Sequence, residues 1–316
     1  MPIVTSQRGT TGVIGRGYRT PYLYRQIITT GYIAGGYKSA VPWRNVCKLN
    51  QSTDTSSSLG DLLQTTHNYT SGAHNRDHAF MFAGGAHGGS YTYTSCFNMR
   101  TDTTLTKNTG MDLSLTGSDP GCIQEEHRRA WIAGTLASAS IHRWDLVTEQ
   151  ASTTFASSIL QNTGIGAASH YTDTKGHFWG DTPTNMKLTF ATETQSSGSN
   201  AGFHSQQHGL SSKLGFAYAG NEGTYQGGYN FRKWNYTTEN ITTSAILKPI
   251  GNSGEENTVT GQGNAWVLGL YAASVQTNQS YKMTFATDTG TVGGAGMEPS
   301  APGIAGRSSG WGYWRD

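Results

Sequence analysis

Charge is scarce in this chain. Only 13% of its 316 residues are Asp, Glu, Lys or Arg, and the net charge is +2. A balance so near neutrality excludes a broad basic surface as a grip on nucleic acid, and no nucleic-acid partner is expected. Long apolar runs are missing as well: none approaches the ~20 residues of a membrane helix, so no membrane insertion is expected. The N-terminal run MPIVTSQRGTTGVIGRGYR has no apolar centre of the kind a signal peptide carries, and signal-directed secretion is not expected either. Cysteine is limited to Cys47, Cys96 and Cys122. They are odd in number and lack metal-ligand spacing, which argues against a disulfide framework and for free, mostly buried thiols. There is no Gly-Lys-Ser/Thr phosphate loop, no Gly-x-Ser-x-Gly elbow and no pair of carboxylates at catalytic spacing. The chain is therefore read as non-enzymatic, with no cofactor and no metal.

Glycine and aromatic residues are abundant: 42 Gly, 16 Tyr, 10 Phe and 8 Trp. Turn-forming residues and large apolar side chains in these amounts suit many short strands around a packed core. The strands are ordered by an internal repeat. A short motif recurs six times, as LNQSTDT, FNMRTDT, WDLVTEQ, LTFATET, WNYTTEN and MTFATDT, with its Thr at positions 53, 101, 148, 192, 238 and 287. A second motif runs in phase with it, an apolar strand ending in Gly: YIAGG, FMFAGG, AWIAG, GHFWG, FAYAG and AWVLG. The terminal GWGYWRD reads as a seventh copy with Arg315 in place of the Gly.

A period of about 47 residues holds the two motif strands and leaves room for two more of ordinary length. Four strands per unit, repeated, predict an all-β chain folded as a single β-propeller. Strand repeats fall near residues 31, 79, 130, 176, 215, 264 and 310, so residues 21–316 form the propeller. Residues 1–20 form an N-terminal arm or closing strand. Seven blades are favoured, the last assembled from both termini. Six blades, with the end segments as docking arms, is the alternative. Cys47 and Cys96 sit at nearby positions of matching strands in successive units. Stacked sheets hold such positions about 10 Å apart, too far for a disulfide.

The Gly-ended strand, followed by one closing in Asn/Asp-x-x-Thr-acid-Thr, resembles the kelch and galactose-oxidase-type propeller repeat over roughly residues 22–316. In composition and style the chain is also similar to kelch-like virion structural proteins of tailed cyanobacterial phages. That resemblance implies a structural, non-enzymatic part of a tailed-phage particle, in the tail, neck, baseplate or fibre region, assembled in the host cytoplasm. Its partners would be other virion proteins in a symmetric multi-copy assembly. The alternative is an adhesin- or lectin-like propeller that binds a host-surface glycan. A copper-radical oxidase, also implied by the resemblance, is the distant third.

The candidate site residues follow from the repeat. Lys48, Arg143, Lys187, Lys233 and Lys282 stand directly before the apolar residue of the first motif, and Cys96 fills that place in the second unit. The motif acids are Asp54, Asp102, Glu149, Glu193, Glu239 and Asp288. Alternating cations and acids are expected to pair within or between units, leaving little net field. His74 with His78, and His204 with His208, are four apart, but the spacing converges on a metal only on a helix, so these are read as loop or channel residues. Tyr18, Tyr22 and Tyr24 near the start, and Trp311, Tyr313 and Trp314 at the end, are the candidate interface or closure aromatics.

Overall fold

The computed structural model describes residues 30–35, 37–38, 41–42, 44–67, 70–82, 93–106, 110–113, 120–125, 127–135, 138–157, 166–169, 174–179, 185–198, 210–212, 216–220, 230–247, 253–254, 257–260, 263–268, 271–272, 275–276, 280–292 and 309–312. All of the regular structure among them is β, as the repeat predicts, and no helix is present. The strands form six antiparallel four-stranded sheets, together with small sheets of two and three strands.

The second sheet shows the shared plan: Ser71–His74, His78–Phe82, Thr94–Asn98 and Thr103–Thr104 follow one another in order. The third runs through Gly121–Glu125, Arg129–Thr135, Ser138–Asp145 and Gln150–Ser157, and the fourth through Gly166–Ser169, Lys175–Trp179, Asn185–Thr189 and Thr194–Gly198. The fifth comprises Leu210–Ser212, Phe216–Gly220, Asn230–Asn235 and Asn240–Leu247. The sixth comprises Asn257–Thr260, Asn264–Leu268, Ser280–Thr284 and Thr289–Val292. The first sheet differs in one strand. Thr30–Ala34, Asn45–Asn50 and Thr55–Asp61 follow in chain order, with the small sheet of Tyr37–Lys38 and Val41–Pro42 between the first two, but the strand before them is Ser309–Gly312, from the far end of the chain.

The repeat makes GWGYWRD a seventh copy of the Gly-ended strand, which is the second strand of its sheet. Ser309–Gly312 pairs with Thr30–Ala34, with Trp311 opposite Tyr32. It takes the first-strand place of a sheet whose other three strands lie near the chain start. Two residues alternating about a Gly look alike in a first and a second strand, so the motif alone does not distinguish the two places. Residues 1–20, with Tyr18, and also Tyr22, Tyr24, Tyr313 and Trp314, lie outside the described residues.

The Gly-ended segments are the second strands of their sheets. Thr30–Ala34 and His78–Phe82 are buried at every residue after the first, as a strand covered on both faces must be. The core lies between consecutive sheets. Tyr32, Val46 and Leu63 of the first sheet and its following linker pack on Met81, Phe97 and Met99 of the second. Phe80 and Phe82 meet Trp144 of the third, and Trp131 stacks on Phe190 of the fourth at 4.6 Å with the rings nearly parallel. Val259 and Trp266 of the sixth sheet pack on Ile33, Cys47 and Leu49 of the first. The first strands of the six sheets also neighbour one another in sequence order, and Ser309–Gly312 touches both Asn257–Thr260 and Ser71–His74. Cys47 and Cys96 are thus buried against different neighbours, and all three cysteines are free thiols.

Close approach of the sheets depends on small residues. The second position of each Gly-ended strand is Gly31, Ala79, Ala130, Gly176, Ala217 or Ala265. A Cβ built on Gly176 would lie 2.5–3.0 Å from three atoms of Ile123 in the sheet before it. Gly176→Val should therefore cost about 1–3 kcal/mol through overpacking, read as a lower denaturant midpoint. Unchanged stability would mean that the third and fourth sheets are not in this contact.

One sheet edge is finished by a side chain. The last strand of the second sheet is only two residues long, so much of the third strand has no neighbour on that side. The Gln64 amide fills the gap, accepting from Cys96 N at 2.8 Å and donating to Cys96 O at 2.8 Å, as a further strand would. Asp112 Oδ1 accepts the amide of Thr94 at 2.9 Å on the same edge. Exposed ladder groups are thereby closed to other chains.

Candidate functional site

The repeated Thr-acid motif is the hairpin joining the third and fourth strands of each sheet. In four copies its first polar residue nucleates the turn: Oδ1 of Asn50, Asn98, Asp145 or Asn235 accepts the backbone amides two and three residues on, at 2.8–3.3 Å. This is the local competition with the ladder that makes Asn and Asp turn formers. The motif Thr then bonds the hydroxyl of a second Thr two residues later, as in Thr53 with Thr55 at 2.7 Å and Thr287 with Thr289 at 2.6 Å.

The acid closes the turn in the left-handed backbone region. Asp54, Asp102, Glu149, Glu193, Glu239 and Asp288 have φ between +52° and +58°, and among the described residues they are the only non-glycine residues with positive φ. Glycine adopts this conformation freely, whereas a side chain costs on the order of 1 kcal/mol or more. Six acids where six glycines would be less strained point to a use for the carboxylates.

Each carboxylate binds the sheet that precedes its own. Lys48 Nζ reaches Asp102 Oδ2 at 2.5 Å. Arg143 and Arg129 both reach Glu193 Oε1 at 2.8 Å, and Lys187 and Lys175 reach Glu239 Oε1 at 2.9 and 2.8 Å. Lys233 holds Asp288 at 2.8 Å. Lys282 of the sixth sheet holds Asp54 of the first at 2.9 Å. The second sheet has Cys96 in the cation place, and there His78 Nδ1 meets Glu149 Oε1 at 2.5 Å, with Asn75 Nδ2 donating to the same oxygen at 2.8 Å. All five cations and all six acids of the repeat are thus drawn into seams between neighbouring sheets.

Besides Asn75, sequence reasoning missed the seam partners His78, Arg129, Lys175, Tyr32 and Trp266. Tyr32 Oη donates to Asp102 Oδ1 at 2.9 Å, and Trp266 Nε1 to Asp54 Oδ1 at 2.8 Å. Their signal was the opening residues of the Gly-ended strand, where polar residues recur at fixed register opposite the motif. Three of the cations also lie over rings: Lys48 on Tyr32, Arg129 on Trp131 and Lys282 on Trp266, at 5.3–5.6 Å.

The electrostatics follow from partial burial. Desolvation alone would raise the Glu239 carboxyl, but hydrogen bonds from Lys175 and Lys187, with the charges of Lys175 and His177 nearby, hold it down at about 2. So firmly ionised a carboxylate is poorly suited to general acid chemistry near neutrality. Burial pushes the Cys122 thiol and the Tyr236 phenol well above their ordinary ranges and lowers His142. Burial likewise lowers His127. His74 Nδ1 contacts the Asn75 carbonyl at 2.9 Å, while His78 belongs to the Glu149 seam. Among the described residues no group of three or more His, Cys, Asp or Glu side chains is gathered as a metal site. His204 and His208 lie outside the described residues.

No family model matches the chain, and no curated protein matches it. Among solved structures it is similar to one titled "Structure of YjhT", at 11% identity and a TM-score of 0.49, over 61% of this chain and 69% of that one.

Proposed function

We propose that the chain is a kelch-like β-propeller of six blades, closed by Ser309–Gly312, and that it serves as a rigid, non-enzymatic docking disc. The observation that carries this reading is the seam set. The repeat's charged side chains hold sheet to sheet, and the Lys282–Asp54 pair joins the sixth sheet to the first across 228 positions of sequence. Charges committed to seams stabilise a framework and leave recognition to the loops between strands.

The setting we propose is a tailed-phage particle, where the disc binds other virion proteins in several copies. Low charge, Gly/Ser/Thr-rich loops and an odd number of cysteines without metal-ligand spacing support assembly inside a reducing host cell. Mass spectrometry of purified particles from a phage encoding the chain tests this. The expected result is the full-length chain at a fixed multiple of the other tail or baseplate proteins. Absence from washed particles, together with saturable binding on a glycan array, would replace this reading with the glycan-binding one.

A further inference from the structure

The six seams fall into two kinds, and the acid's length goes with the kind. Where the acid is Glu, the first residue of the partner strand is a basic residue type: His78 faces Glu149, Arg129 faces Glu193 and Lys175 faces Glu239. Where the acid is Asp, that first residue is Thr30, Phe216 or Asn264, none of them charged. Two positions further along the strand, the Asp seams have Tyr32, Tyr218 or Trp266, aromatic residues with a polar hydrogen, and Tyr32 and Trp266 donate to their Asp. The Glu seams have Phe80, Trp131 or His177 at that place, so an aromatic N–H donor type occurs there too and the two kinds are separated by the first residue of the strand. There the Trp131 Nε1 hydrogen is buried with no partner among the described residues.

The physical reason is reach. One extra methylene carries the Glu carboxylate out to the strand's first residue. In the Asp102 and Asp54 seams the shorter Asp stops over the third, where the Tyr32 O–H or the Trp266 N–H is at hand. A Glu opposite an uncharged first residue would lose a partner, and an Asp opposite a cation would lose the contact across the seam, leaving Arg129 only its bond to Glu125 in its own sheet.

We infer that acid length and donor position form an address, by which each turn recognises the sheet that precedes it and rejects one of the other kind. The inference goes beyond the docking reading and does not depend on it, because each seam is tested alone.

The test is a double-variant cycle at the seam of the third and fourth sheets. Glu193→Asp alone should break the Arg129 contact and raise the unfolding constant by roughly fivefold or more, and Arg129→Asn alone should do the same. The combined Arg129→Asn/Glu193→Asp variant copies the seam of the sixth and first sheets, where Asn264 and Trp266 face Asp54. It should be more stable than the product of the two single effects predicts. Its Trp131 indole N–H resonance, assigned by its loss in Trp131→Phe, should move downfield as that hydrogen gains a carboxylate. Multiplicative losses with an unmoved indole resonance would overturn the inference. If the combined variant does not fold, Asp54→Glu decides in its place: the Trp266 indole resonance should move upfield, and an unmoved resonance would count against the address.

Discussion

Removal of Ser309–Asp316 is expected to lower the melting temperature sharply and to make the protein aggregate on heating. The deleted strand pairs with Thr30–Ala34 over four positions, Gly31 with Gly312 through Ala34 with Ser309. Its loss strips the backbone ladder from a segment whose Tyr32, Ile33 and Ala34 are all buried. The new edge is apolar and unpaired, which is the geometry that recruits other chains. It also sits at the junction of the sixth and first sheets, where Trp266 and Val259 meet Ile33. Several kcal/mol should be lost, since opening that junction re-exposes large side chains worth about 1.5–3 kcal/mol each. Differential scanning calorimetry with light scattering reads both effects. A truncated protein that melts like the parent would show that the terminal strand is an accessory.

The second large effect concerns Glu239. Its carboxyl, lowered from an ordinary 4.5 to about 2, is more acidic in the folded chain than in the unfolded one. A depressed carboxylate contributes stability that is fully present above its unfolded pKa and is lost as pH falls towards the folded value. The contribution is therefore intact above pH ~5 and fades between about 4.5 and about 2. At full value such a shift would be worth about 3 kcal/mol, and solvent screening of this part-exposed group reduces it to something on the order of 1–2 kcal/mol. Glu239→Gln should be destabilised by that order at pH 7, because Lys175 and Lys187 lose their counter-charge. The gap between parent and variant should close as pH falls to about 2. A gap that stays constant with pH would mean that the variant lost packing and not an ionised pair.

The period, the all-β class and the turns were legible in the sequence, because a hairpin of Asn-x-x-Thr-acid type writes its chemistry locally. Asn50 bonds the amides of Ser52 and Thr53, and no distant residue is needed for it. The pairing of repeat cations with repeat acids was also legible, although not its direction. That each acid reaches back to the sheet before its own depends on how sheets stack, which no single unit contains. The place of His78, expected in a loop or channel, is not legible locally because its partner Glu149 is 71 positions away. The place of the C-terminal strand was missed for a similar reason. A first strand and a second strand can share the same alternation, and only the free edge of Thr30–Ala34 decides between them. The small second position, Gly176 above all, went unread because glycine in a strand has several uses and the close neighbour, Ile123, belongs to another sheet.

The proposed end-to-end meeting of the six repeats can be read by zero-length carbodiimide cross-linking of the monomer followed by peptide mass spectrometry. This reagent joins an amine to a carboxylate only where the two touch. A Lys282–Asp54 cross-link is expected in the monomer band, at a yield like that of Lys48–Asp102, Lys187–Glu239 and Lys233–Asp288. Recovery of the last three without Lys282–Asp54, or of Lys282–Asp54 only in cross-linked dimers, would contradict it.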